Sequence, residues 1–290
     1  MAGVRLEFAQ FGHFDYFNIY RNSVSTVKEN LGQPIGSSST MYYEDFTVEP
    51  KQDYYYHIGV FRNLVEEFSE EIVISTGDKH FDNVVMISNM SAAVSGSLIN
   101  DIKEHVFTVR TGTASIINDS SAYDGKALFI DGGVQSASSD DWNFDGKFTI
   151  ETRFKFASHQ MYGGILCCAS DVSAWLGWNI IFDNTSNNLR VEINQSFSLI
   201  SSIALNPNVF YDVCLERDEN NLVRLYVSGA VVASGTYVGA INTAGSSLLL
   251  GIERTFAYKT VATYDAVRIT KGVARYAGAY APANKPYFEF

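Results

Sequence analysis

The stretch FTIETRFKF, Phe148 to Phe156, puts Phe148, Ile150, Phe154 and Phe156 on one face and Thr149, Glu151, Arg153 and Lys155 on the other. A period of two is the mark of a strand with one buried and one wet side, and Thr152 is the only polar residue it sends inward. The same pattern returns in LGWNIIFDNTSNNLRVEIN. There Leu176, Trp178, Ile180 and Phe182 alternate inward, Asn184 to Asn188 supply turn chemistry, and Leu189, Val191 and Ile193 come back as the second arm of a hairpin. VFYDVCLERDENNLVRLYVSGAVVASG adds two strands joined at Asp218 to Asn221 and a turn at Ser228-Gly229 leading into Val231 and Val232. No long 3.6-period segment occurs. Aromatic residues make up 14% of the chain, a weighting that suits pleated, half-buried surfaces. The expected class is all-β, with short strands and regular turns that argue for sandwiches or jelly rolls.

A length of 290 residues accommodates two such units. The composition shifts at STGDKHFDN, Ser75 to Asn83, where the acidic strand EEFSEEIVIS gives way to Gly77, Asp78 and Lys79. The boundary is therefore set between residues 77 and 78, giving domains 1–77 and 78–290. The linker is short and not Gly/Ser-rich, which predicts a restricted relative orientation.

The net charge of −11, with no basic cluster, would repel a phosphate backbone, so no nucleic-acid partner is expected. No apolar run approaches the ~20 residues that span a bilayer. Arg5, Glu7, Gln10 and His13 interrupt the first residues, which are read as no signal peptide. The expectation is a protein made in a cytoplasm without membrane insertion. Cys167 and Cys168 are adjacent and Cys214 is distant, which fits neither a disulfide framework nor a CxxC metal site, so small buried apolar roles are expected. His13, His57, His80, His105 and His159 form no HExxH pair. No metal and no cofactor are expected.

TVEPKQDYYYHIGV, Thr47 to Val60, carries Val48, Pro50 and Tyr54 in the apolar-x-Pro-x-x-x-Tyr spacing and resembles the tyrosine corner of a fibronectin type III domain, over about residues 4 to 76. The resemblance implies that Tyr54 reaches back to an upstream backbone group. Tyr56, Ile58 and Val60 then alternate down the next strand, FRNLVEEFSEE forms the last hairpin, and FDYFNIYRN looks like the C strand. Gln52 replaces the usual Thr, and VRLEF looks like the B strand with Phe8 where Trp is common. Little chain precedes it to make strand A. An uncovered edge beside Val4, Leu6 and Phe8 is expected as the attachment edge. The clustered tyrosines read as core and corner packing, and Glu66, Glu67, Glu70 and Glu71 as a solvated hairpin and edge.

From His80 onward, HFDNVVMISNM, SSAYDGKALFIDGG, FDGKFTIETRFKF, YDVCLERDENNLVRLYVSGAVVASG and YDAVRITKGVARYAGAYAP follow in an order that resembles a laminin-G-like, concanavalin A-type jelly roll of bacteriophage virion proteins. The resemblance implies that Tyr264 to Thr270 is the closing strand, ended at Lys271-Gly272, and that the tail packs over the sandwich. Gly272 permits positive φ and Gly278 a close backbone approach, and Lys271 and Arg275 then need no nucleic acid to explain them. No acidic residue lies between Asp82 and Asp101, which weakens the case for loop-bound calcium. Asp140, Asp141 and Asp145 in SSDDWNFDG are read as a solvated or Asx-turn cluster.

Glycanases share the concanavalin-type sandwich, but their paired carboxylates must flank one glycosidic bond. Glu151 stands alone on its strand's wet face, and Glu216 runs through Asp218-Glu219 into a hairpin, so no catalytic residue is expected. SHQMYGGILCCASDVSAWLGWN, Ser158 to Asn179, supplies Tyr162, Asp171 and Trp175, the mixture of aromatic face and polar groups that sugar recognition uses. Rim packing is the competing reading of Tyr162 and Trp175, and core packing that of Trp178. By resemblance the chain is expected to be a phage virion protein, assembled in the host cytoplasm, homo-oligomeric, and held to other virion proteins by its N-terminal module. A tail appendage or fibre-type protein binding host surface glycans comes first, a head decoration protein second, a glycan-degrading enzyme last.

Overall fold

The computed structural model describes residues 3–184 and 186–290. The chain is all-β and packs as two units, Met1–Asp82 with Phe288–Phe290, and Asn83–Tyr287. Among the described residues no helix is long and apolar enough to cross a membrane.

The first unit has seven strands: β1 (Val4–Glu7), β2 (Tyr16–Asn22), β3 (Gly36–Ser38), β4 (Tyr42–Asp45), β5 (Asp53–Arg62), β6 (Val65–Phe68) and β7 (Ile72–Ser75). β1 pairs with β4, while β3-β2-β5-β6 form a second sheet in which β7 also pairs with β5. Val4 and Leu6 from the small sheet meet Phe17, Ile19, Tyr56, Ile58 and Val60 from the large one in a single core. The Glu49 backbone N–H donates to the Tyr54 hydroxyl at 2.8 Å, tying β5 to the chain that enters it. Asn63 and Leu64, both at positive φ, turn β5 into β6. The fully buried Tyr56 donates its hydroxyl to Asp45 at 2.8 Å, and Arg21 pairs with the same carboxylate at 2.8 Å. Burial raises the Asp45 carboxyl, but bonds from Thr47 and Tyr56 and the Arg21 charge outweigh it and hold the group below the usual carboxylate range.

The second unit begins with β8 (Val84–Ser88), β9 (Phe107–Asn118), β10 (Lys126–Ser138), β11 (Phe148–His159), β12 (Gly164–Ala169), β13 (Gly177–Phe182) and β14 (Asn188–Ile193). It continues with β15 (Phe197–Ala204), β16 (Tyr211–Arg217), β17 (Leu222–Val227), β18 (Ala230–Thr236), β19 (Ser247–Leu250) and β20 (Thr260–Lys271). These strands run in the order β15-β14-β13-β12-β19-β10-β20-β11-β16-β17-β18, with β9 on β10 and β8 on β20. The sheet curls until β15 reaches β18, where Gly235 leaves room for Phe197 and Leu199, and the result is a nearly closed jelly roll. Its interior is one continuous core that includes Trp142, Phe148, Trp178, Phe182 and Tyr264, all buried. Thr185, inside the expected Asn184–Asn188 turn, lies outside the described residues.

Three sequence expectations need correction. Leu176 is not an inward strand residue: β13 starts at Gly177, and Leu176 is exposed in the loop before it. The outer face of β11 is not wet at Thr149 and Glu151, because the tail after Lys271 covers it. Val273 accepts from the Thr149 hydroxyl at 3.0 Å, the Arg275 N–H donates back to that hydroxyl at 3.1 Å, and Tyr280 and Tyr287 are buried beyond them. Glu216 does not sit at the hairpin. The Asp218 carboxylate takes the turn by accepting from the Asn220 and Leu222 N–H groups, so β16 keeps its ladder through Arg217.

The tail itself follows the expected course. Gly272 takes the expected positive φ, Lys271 donates to the Asp140 carbonyl at 2.8 Å, and Arg275 donates to the Thr270 hydroxyl at 2.7 Å. The close backbone approach expected at Gly278 is not there: a Cβ at that position would meet nothing within 4 Å, and what calls for glycine is its positive φ.

Candidate functional site

Strand alternation leaves a second face on β12, β13 and β19. Trp178, Ile180 and Leu250 point into the main core, so Cys167, Ile181 and Leu249 must point the other way, where with Ile252 they form a small satellite apolar cluster. A cavity of about 220 Å³ opens on this cluster, walled by Tyr162, Trp175, Glu192, Arg254 and Tyr258, with Asn179 on its floor.

Tyr162 reaches the cavity from the turn between β11 and β12, closed by the Gly163 N–H donating to the Gln160 carbonyl at 2.9 Å. Its φ of 58° lies in the left-handed region, which costs a side chain with a Cβ roughly 1–2 kcal/mol. The ring packs against the satellite cluster and stands edge-on to Tyr258, centroids 6.2 Å apart. Trp175 is buried, with the Arg254 guanidinium 5.0 Å above its ring. That guanidinium also donates to the Ser170 carbonyl at 3.3 Å.

The loop from Ile252 to Lys259 forms the remaining wall. Its hub is the Glu253 carboxylate, which accepts the N–H groups of Thr255 (2.8 Å), Ala257 (2.9 Å) and Tyr258 (3.3 Å) and the Thr255 hydroxyl. With its lone pairs so occupied, Glu253 shapes the wall rather than offering a ligand contact.

Asn179 and Glu192 are cross-strand partners of β13 and β14. Burial pushes the Glu192 carboxyl up, while Arg190, Arg254 and the Asn179 amide act in the opposite direction. Asn179 is only 2% exposed, and its Oδ1 has no hydrogen-bond partner.

The structure thus brings Tyr162 and Trp175 together and sends Asp171 elsewhere. Asp171 is exposed on a neighbouring cavity of about 670 Å³, which it shares with Arg110, Leu176 and Phe256, and Arg254 borders both cavities. Sequence reasoning missed Asn179, Glu192, Arg254 and Tyr258. The readable signal was Asn179, a polar residue inside the apolar run GWNIIF, opposite in phase to Trp178 and Ile180.

Val4 and Leu6, expected at an attachment edge, point into the core of the first unit, and Phe8 is half-buried against Phe17 at a centroid distance of 4.6 Å. What β1 leaves open is its backbone edge, since among the described strands it pairs with β4 alone. A groove of about 440 Å³ borders β1, lined by Val4, Ile74, Phe288 and Phe290 among others.

Glu151 and Glu216 stand on one sheet face, Glu151 opposite Cys214 and Glu216 opposite Thr149, and both contact Tyr276 of the tail. Arg268 holds Glu151, and the Tyr276 and Ala277 N–H groups donate to Glu216 at 2.7 and 2.9 Å. Asp140 and Asp141 are used within their turn, Asp140 accepting from the Asn143 amide and Asp141 from the Ser139 hydroxyl. Among the described residues no group of three or more His, Cys, Asp or Glu side chains could hold a metal ion.

Residues 129–275 match the family model described as the concanavalin A-like lectin/glucanases superfamily. No curated protein matches the sequence. Among solved structures, the chain is similar to domain 4 of AbnA, a GH43 extracellular arabinanase from Geobacillus stearothermophilus, solved in complex with arabinotriose. That likeness has 15% identity and a TM-score of 0.50, and covers 66% of this chain and 94% of that one. It is also similar to the binding domain of Paraclostridial Mosquitocidal Protein 1, at 17% identity and a TM-score of 0.48, covering 66% of this chain and 49% of the other. A third is the CBM40 of the Ruminococcus gnavus IT-sialidase bound to α2,3-sialyllactose, at 14% identity and a TM-score of 0.42, covering 50% of this chain and 89% of that one. The chain thus spans about half the length of the mosquitocidal binding domain. At these identities the likenesses show the fold alone.

Proposed function

Since the chain belongs to the concanavalin A-like lectin/glucanases superfamily, we propose that its jelly-roll unit is a non-catalytic glycan-binding module. The observation that carries this reading is the meeting of Tyr162 and Trp175 over a concave floor with buried polar groups, the composition that ligand sites share. The arabinanase domain solved with arabinotriose supports the same ligand class. Against a glycanase stands the state of the two acids on one sheet face. Glu151 is held by Arg268, Glu216 by backbone N–H groups, and both lie under the tail, leaving no room for a sugar between them.

The order of sequence motifs supports placing the module on a bacteriophage virion, as a tail-associated appendage rather than a head decoration. In this reading the first unit is a fibronectin type III-like attachment module. Its β1-β4 and β3-β2-β5-β6 sheets and the Tyr54 tie support that reading, and the free β1 edge receives an extended strand from another virion protein.

The test is binding of the purified full-length chain to immobilised bacterial polysaccharides and lipopolysaccharides. Binding that falls about tenfold or more in Tyr162→Ala, with an unchanged fold by circular dichroism, is the expected result. Absence of binding to every polysaccharide would overturn the glycan reading. For the attachment end, a virion reconstruction with residues 1–77 distal to the particle would overturn the orientation.

A further inference from the structure

Resting on the glycan-binding reading, we propose that the larger cavity, the one that Asp171 borders, receives a sugar carrying a carboxylate. Arg110 and Arg254 supply the cations that meet this carboxylate, and the neighbouring sugar of the same glycan lies between Tyr162 and Trp175.

Arg110 owes its place to a fault in the ladder. It lies on β9, an edge strand that pairs only with β10 among the described strands. Thr111 stands opposite Gly133 and Val109 opposite Val134, so Arg110 is the extra residue of a β-bulge. A bulge bends its strand and re-aims the side chain at that point. Here the Arg110 guanidinium lies over the Phe256 ring, 4.4 Å from its centroid. Phe256 and Arg254 belong to the loop that the Glu253 carboxylate holds. The Phe256 N–H donates to the Glu253 carbonyl at 2.9 Å, and Phe256 itself takes a φ of 62°. One braced loop therefore sets Arg254 over Trp175 and puts a ring beneath Arg110. An aromatic ring steadies a cation without using up its N–H donors. Of the five N–H groups of a guanidinium, Arg254 spends one on the Ser170 carbonyl, and Arg110 spends none on a described residue.

The charge balance carries the argument further. The chain has 32 Asp and Glu against 21 Lys and Arg, so an unpaired guanidinium is against expectation. Among the described residues Arg110, Arg217 and Arg254 alone of the arginines form no ion pair, and Arg217 is buried with three backbone carbonyls as acceptors. The other two both line the same cavity. Glu192 feels the Arg254 charge but is paired with Arg190. Asp171 is the one acid among the lining residues of the larger cavity, which leaves its wall one positive charge in excess. A carboxylate matches that excess and the forked geometry of a guanidinium. A phosphate monoester, at roughly −1.5 to −2, overshoots it beside Asp171. Gln135 and Ser247 add neutral hydrogen-bonding groups for hydroxyls, and about 670 Å³ lies within the ~300–1,000 Å³ of small-molecule sites. Arg254 borders both cavities, so a glycan can run from one to the other past it.

The experiment is calorimetric titration of the full chain with oligogalacturonate, hyaluronan fragments and polysialic acid, each beside its carboxyl-reduced form, in which CH2OH replaces the carboxylate. Mannose 6-phosphate serves as the phosphate probe. Expected is binding of at least one acidic glycan, about tenfold or more weaker after carboxyl reduction and weakened by salt. Arg110→Gln and Arg254→Gln should each cost about tenfold, Asp171→Asn should tighten binding, and Lys126→Gln, at an exposed cation elsewhere, should change nothing. Should Arg254→Gln disturb the Trp175 loop, Arg110→Gln on the exposed edge strand decides. Equal or tighter binding of the carboxyl-reduced glycans would overturn this inference and leave the glycan reading intact. So would a preference for mannose 6-phosphate, indifference to both arginine substitutions, or an equal loss with Lys126→Gln. No binding of any glycan, acidic or reduced, would overturn both.

Discussion

Arg268 grips Glu151 across β20 and β11 with two hydrogen bonds, Nε to Oε2 at 2.7 Å and Nη2 to Oε1 at 2.9 Å, both side chains buried. The Tyr276 hydroxyl adds a bond to the same carboxylate at 2.5 Å. Removing one member of such a pair leaves the other charged and buried, a loss of about 3–5 kcal/mol. Glu151→Gln should therefore lower the melting temperature of the jelly roll by on the order of 10 °C. Neither the parent nor this variant should release reducing sugar from bacterial polysaccharide. Turnover by the parent that Glu151→Gln or Glu216→Gln abolishes would show that the acids react, and would sink the non-catalytic reading.

Tyr162 separates stability from binding. Its backbone sits at φ 58°, which glycine adopts freely and alanine does not. Tyr162→Ala and Tyr162→Gly both delete the ring, so both should lose glycan affinity equally. In thermal melts the glycine variant should exceed the alanine variant by about 1 kcal/mol, because it alone sheds the strain. Equal stability would mean that the turn relaxes when the ring is gone.

The three thiols are free and buried, and burial pushes all three up, Cys167 and Cys214 well above the usual thiol range. A thiol that stays protonated and covered reacts with neither oxidant nor alkylating agent. Ellman's reagent should find no reactive thiol in the native chain and all three after denaturation, and reductant should leave the melting temperature unchanged. A shift of many degrees with dithiothreitol would reveal a bridge.

Much of this was legible in the sequence, for a simple reason. A period of two fixes which side chains face inward, so Phe148, Ile150, Trp178 and Phe182 were assigned to the core from spacing alone and are buried there. The closing strand came from the resemblance in motif order, and its stop at Lys271-Gly272 carried its own turn chemistry. Spacing says nothing, however, about what lies over the outer face. Glu151 alternates outward as expected, yet the tail buries it, and no local pattern distinguishes an outward residue in water from one beneath a later segment. The cavity was half legible for the same reason. Tyr162 and Trp175 lie in one loop-rich stretch and drew attention to it. Glu192 and Arg254 come from β14 and the Ile252–Lys259 loop, and only register and the curl of the sheet bring them there. Asp171 shared the stretch but not the cavity, since sequence neighbours in a loop need not face one way.

His105 gives the pH dependence. Its Nδ1 lies 2.6 Å from Asp101 and its Nε2 3.0 Å from Asp141, and its ring lies against Trp142 with centroids 4.6 Å apart. Bonding to Asp101 raises the imidazole above its usual value; burial works against this, and the charges of Asp101 and Asp141 add to the rise. Because the folded value is raised, the folded state binds the proton more tightly than the unfolded chain. The stabilisation is thus fully present below the unfolded histidine value of about 6.5 and is lost as pH rises through the folded value. The buried carboxyls of Glu192, Asp212, Glu216 and Asp265 are also raised, chiefly by burial, and their contribution too falls as pH rises. It falls from the acid side, starting near the ordinary carboxyl values of about 4. The two effects separate by substitution. Between about pH 6 and pH 9 the parent should lose melting temperature, and His105→Gln, which keeps a polar side chain but does not titrate, should lose much less. If parent and variant fall in parallel across that window, the His105 clamp is not what the pH acts on.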